Sequence, residues 1–101
     1  MSLTSAQIRR LRAESHRRNL KPVVIIGQKG LIDTVHEEIA VALAHHELIK
    51  LRVPGLDRAG KKDLASEICQ RHEAEMVQLI GNVVVIFRRN PETDRFAAVL
   101  G

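Results

Sequence analysis

The sequence predicts an α+β domain, a two-layer α/β arrangement of order α-β-α-β-α-β-β with four strands in one mixed sheet. Three observations carry that prediction. The aliphatic run Val23-Val24-Ile25-Ile26 stops at Gly27 and gives way to apolar residues at helical spacing, so a strand leads into a helix. A second strand-like run begins at Leu48, directly after that helix, which calls for a parallel crossover. Gly81-Asn82, set between two β-branched runs, signals a tight antiparallel hairpin. In 101 residues these pairings fit one domain, residues 1–101, with a core over about 3–90 and a tail over 91–101.

Each element has its own signal. Thr4 or Ser5 can cap a first helix to about His16, whose apolar stripe is thin (Leu3, Ile8, Leu11). Asn19 and Pro22 mark the turn into the first strand. Its four consecutive aliphatic residues predict burial on both faces. After the glycine loop, Ile32, Val35, Ile39, Ala42, Leu43 and His46 recur at helical spacing to about His46. Leu48 to Val53 alternates apolar and basic residues, predicting a half-exposed second strand that presents Lys50 and Arg52 on one face. Pro54-Gly55 breaks it, and Asp57 can cap a third helix with the apolar face Leu64, Ala65, Ile68 and Cys69, ending near His72. Gly60 weakens the first turn of that helix by roughly 1 kcal/mol relative to Ala. Met76–Ile80 and Val83–Phe87 are the hairpin strands, and the tail either frays or lays Phe96 and Val99 on the core.

Charge is concentrated. The formal net charge is +4, yet residues 1–21 hold six basic side chains (Arg9, Arg10, Arg12, Arg17, Arg18, Lys21) against Glu14 alone. The rest of the chain is nearly balanced. A helix with a thin apolar stripe and this many arginines offers a face to solvent or to an anionic partner. Aromatic residues are almost absent: no Trp, no Tyr, only Phe87 and Phe96. Binding of nucleic acid by stacking many bases on rings is thereby excluded, which leaves phosphate contacts, shape and hydrogen bonds. The longest apolar run, Val83 to Phe87, is far short of the ~20 residues that span a bilayer. With one cysteine, Cys69, and no apolar signal region at the N-terminus, a cytoplasmic protein without membrane contact is expected.

The loop Gly27-Gln28-Lys29-Gly30 carries the chemistry. A strand that turns through glycines into a helix N-terminus leaves backbone N–H groups free at the positive end of the dipole, and Lys29 adds a mobile cation. Such a place holds phosphate. It is neither a P-loop nor a dinucleotide fingerprint, since those spacings are missing. His45 and His46 are adjacent on a helix and diverge by about 100°, so no metal site is expected. Cys69 and His72, at i and i+3, could touch, but no orienting group or oxyanion site accompanies them, and a small Cys/His enzyme stays a minor alternative. No catalytic residue, cofactor or small-molecule substrate is expected.

Leu20 to Leu31, including that loop, resembles the opening signature of the CRM domain, whose bacterial single-domain members are the YhbY proteins. His45-His46-Glu47-Leu48-Ile49-Lys50-Leu51 resembles its second signature, and Gln78 to Arg88 its closing hairpin. The likeness implies a fold like the C-terminal domain of translation initiation factor three. It implies an RNA-binding protein whose partner is precursor large-subunit ribosomal RNA, or a ribosomal particle, during assembly. Gly27, Gln28, Lys29 and Gly30 would be the RNA contact. Lys21, Lys50, Arg52 and the arginines at 9, 10, 12, 17 and 18 would extend it as a basic surface. A KH-like single-strand binder is the alternative, because the loop mimics the KH loop; there, however, it joins two helices, whereas here a strand precedes it.

Overall fold

Helices α1 (Ser5–Arg17), α2 (Asp33–His46), α3 (Arg58–His72) and α4 (Ala97–Leu100) surround a single sheet in the computed structural model, which describes residues 2–101. The strands are β1 (Pro22–Ile25), β2 (Leu48–Arg52), β3 (Glu75–Ile80) and β4 (Val83–Phe87), in the spatial order β1-β2-β4-β3. β1 and β2 run parallel, as the intervening helix requires, and the other neighbours run antiparallel. The α+β class and the mixed four-stranded sheet are as the sequence predicts.

Strand alternation builds two cores. Val84 and Ile86 of β4 face α2 and α3, where Ile39, Leu43, Ala65 and Ile68 pack with Ile49 and Leu51 of β2. Val85 and Phe87 face the other way, onto Leu11 of α1, Phe96 and Leu100. The expected two layers thus gain a third, thin one, because the tail folds back as α4 and closes the second face beside α1. Buried Glu47 fixes that return: its carboxylate accepts from Asn90 N, Thr93 Oγ and Arg95 N at 2.7–3.1 Å. Burial raises its pKa, but those three hydrogen bonds outweigh burial and hold it below the usual carboxylate value.

One expectation is corrected. β1 is not buried on both faces: Val24 and Ile26 are covered by α2, whereas Val23 and Ile25 are 49% and 66% exposed. β1 is an edge strand, and the third layer lies over the middle of the sheet without reaching it. β2 is half-exposed in a graded way. On the face shared by Leu48, Lys50 and Arg52, Leu48 is buried, Lys50 partly covered and Arg52 open.

Caps explain the helix starts. Thr4 and Gln7 form a reciprocal capping box on α1. Asp57 accepts from Gly60 N at 2.7 Å at the start of α3. Gly60 serves that cap, since a Cβ there would meet Asp57 Oδ1 at 2.9 Å and Leu56 Cβ at 3.2 Å.

Candidate nucleic-acid interface

Gly27 to Gly30 close a tight turn in which Gly30 N donates to Gly27 O at 3.0 Å. Gly30 takes φ +75°, a conformation that favours glycine, and thereby turns the chain into α2. Ile32, at the N-cap, has no side chain to bond the first turn. The N–H groups of Gln28, Lys29, Leu31, Asp33 and Thr34 consequently meet no acceptor among the described residues. Gln28 and Lys29 stand exposed at the tip, and Lys29 has no ion-pair partner among the described residues. Asp33, the one acid in the first turn, lines a recess with His36, Glu37 and Arg71. Free amides, a helix N-terminus and one cation are groups chemically able to hold an anion.

Register places further cations beside it. Ile25 pairs with Arg52, and Ile26 N, just before the loop, donates to Arg52 O at 2.9 Å. Arg52 therefore lies at the loop's end of the sheet. Pro22 pairs with Lys50 at the other end of β1, where Lys21 and Arg18 also stand. Residues far apart in sequence thus form one basic band along the β1–β2 side.

The sequence profile of the CRS1 / YhbY (CRM) domain matches residues 3–88. The chain belongs to that family. An RNA-binding protein of Haemophilus influenzae is 40% identical over 91 residues, covering 90% of each chain. A Pseudomonas aeruginosa protein, named a probable RNA-binding protein, is 34% identical over 95 residues, or 94% of this chain and 89% of that one. A Staphylococcus aureus protein of known solution structure, described as a candidate RNA-binding protein, superposes with a TM-score of 0.81. It is 34% identical, and the match covers 93% of this chain and 96% of that one.

The first-helix arginines of this CRM domain do not form one face. Glu14 holds Arg17 at 2.6 Å and Arg18 at 3.0 Å, and Arg17 foremost keeps the Glu14 carboxyl below its usual pKa. Arg10 donates to Leu100 O at 3.2 Å and so secures α4. Arg12 reaches Val77 O at 3.4 Å and lines a cleft with Arg58 and Lys62 along β3, the sheet edge opposite β1. Arg9 is exposed, and its side chain makes no hydrogen bond or ion pair among the described residues.

Sequence reasoning missed Arg58, Lys62 and Arg95. The first two are signalled only by a basic run at the start of α3, and the third depends on the tail folding back. It missed as well the pairing of His36 with His72, whose Nδ1 and Nε2 lie 2.9 Å apart between α2 and α3. Burial, then Glu75, pushes the Cys69 thiol up to about 11.

Proposed function

We propose that this CRM domain grips structured RNA through the Gly27–Gly30 loop and the basic band beside it, with precursor large-subunit ribosomal RNA in the cytoplasm as its ligand. It acts as a binding module and not as an enzyme. The observation that carries the proposal is the loop itself: five amides without an acceptor among the described residues, a helix N-terminus and exposed Lys29 lie within one short stretch. The names of the relatives support RNA as the partner. Both phenylalanines are buried, so neither offers a stacking platform, and contacts to phosphates in a fixed spatial pattern carry the grip. Folded RNA supplies such a pattern, and a flexible strand does not.

The test is Lys29→Glu. It is expected to lower affinity for a folded ribosomal RNA fragment and to reduce the slope of log K against log salt by about 1. Thermal stability is expected to change by no more than about 0.5 kcal/mol, because the side chain is exposed. Parental affinity in Lys29→Glu would remove the loop from the interface. Competition with a poly-pyrimidine strand at equal salt is expected to favour the folded fragment, and the reverse order would promote the KH-like alternative.

A further inference from the structure

At the far end of β1 from the glycine loop, the turn between α1 and β1, the last turn of α2, β2 and the folded-back tail enclose a cleft of about 550 Å³. Its size suits a small ligand, for which sites run to roughly 300–1,000 Å³. Cations from three separate segments line it (Lys21, Lys50 and Arg95), and no carboxylate does. The side chains of Lys21 and Lys50 make no hydrogen bond or ion pair among the described residues. Arg95 uses Nε on His45 O at 2.8 Å, which leaves its two terminal nitrogens free. The nearby carboxylate of Glu47 is consumed by Asn90, Thr93 and the Arg95 backbone.

Arg18 gives the cleft a second property. Its Cζ lies 4.6 Å from the centre of the Phe96 ring, and its Nε is tied to Glu14. The guanidinium is thus held in place, with its side chain 42% exposed. Phe96 is too buried to stack a base, but it presents a planar cation that can. Leu48 provides an apolar floor.

We propose that this cleft is a second nucleotide site, taking one RNA phosphate on Lys21, Lys50 and Arg95 and the attached base on the guanidinium of Arg18. The proposal rests on the RNA-binding reading above and extends it to residues of the tail. Lys21 and Gly27 stand six positions apart along the extended chain, about 20 Å at the usual rise. RNA long enough to reach both places binds through two linked contacts, and a trinucleotide engages one.

The experiment compares a fluorescein-labelled RNA hairpin, an adenylate trinucleotide and its abasic counterpart, by anisotropy at several salt concentrations. The double variant Lys50→Gln/Arg95→Gln, which strips two of the three cations from that phosphate, is expected to reduce the hairpin's salt slope by about 1, as Lys29→Glu does at the loop. Arg18→Lys keeps the charge and loses the plane. It is expected to weaken the adenylate several-fold and leave the abasic trinucleotide unchanged. Lys21→Gln provides an independent variant should the double one melt early. Parental slope and affinity in both the double variant and Lys21→Gln, with Lys29→Glu weakened, would overturn the cleft and leave the loop standing. Weakening by the cleft variants alone would support the cleft and remove the loop. Failure of the parent to bind any of the three RNAs would overturn both.

Discussion

Gly27 and Gly30 bound the same turn under different constraints. Neither has a neighbour within 4 Å of where a Cβ would sit, but only Gly30 has positive φ. Gly30→Ala is expected to cost about 1–2 kcal/mol, the penalty of a side chain in the left-handed region. Gly27→Ala is expected to leave stability within about 0.5 kcal/mol of the parent. Urea unfolding of the two variants checks the difference. Since Gly27→Ala keeps the fold, any loss of RNA affinity it causes reports on close approach of the RNA backbone.

Helices α2 and α3 are joined above the sheet by polar groups, which makes their contact sensitive to acid. The His36–His72 hydrogen bond needs one ring nitrogen to donate and the other to accept. Arg88, just after β4, donates to His72 O at 3.2 Å and to Ala40 O at 3.4 Å, spanning both helices. Burial foremost, then His36, Arg88 and Arg71, lowers the pKa of His72 below its usual 6.5. An imidazole with a depressed folded pKa takes up its proton more readily once unfolded, so its contribution is complete above 6.5 and is lost as pH falls through the folded value. The melting temperature is therefore expected to fall between about pH 8 and pH 5, and to fall less in His72→Gln. Equal pH dependence in parent and variant would remove the pair as the cause.

Across the whole molecule, the tail decides whether the second face of the sheet is closed. Phe96 meets Phe87 edge to face, with ring centres 5.7 Å apart, and Leu100 packs in the same core. Phe96→Ala is expected to cost about 3–5 kcal/mol, a large part of the stability of a domain this size. Denaturant unfolding measures it. The same substitution removes the support under Arg18, so the tail links the core to the basic band on the surface.

Local pattern was enough for much of this protein. Strand-to-helix succession placed the glycine loop, Gly81-Asn82 placed the hairpin, and Thr4 and Asp57 placed their caps, because turns and caps are set by residues within four positions. The sequence also contains the resemblance to the CRM family and the free cation at Lys29. Tertiary structure alone decided that β1 is an edge strand: four aliphatic residues fit a buried strand and a half-bare edge equally well, and only the sheet order separates them. It alone set Arg10 and Arg12 apart, since Leu100 O and Val77 O become their partners only when the helix docks, whereas Glu14 meets Arg17 and Arg18 three and four positions on. His36 with His72, and Arg95 with Lys21 and Lys50, are joined from distant parts of the chain. Such pairings leave no periodic trace along it, because contacts between separate elements are chosen by how whole faces pack.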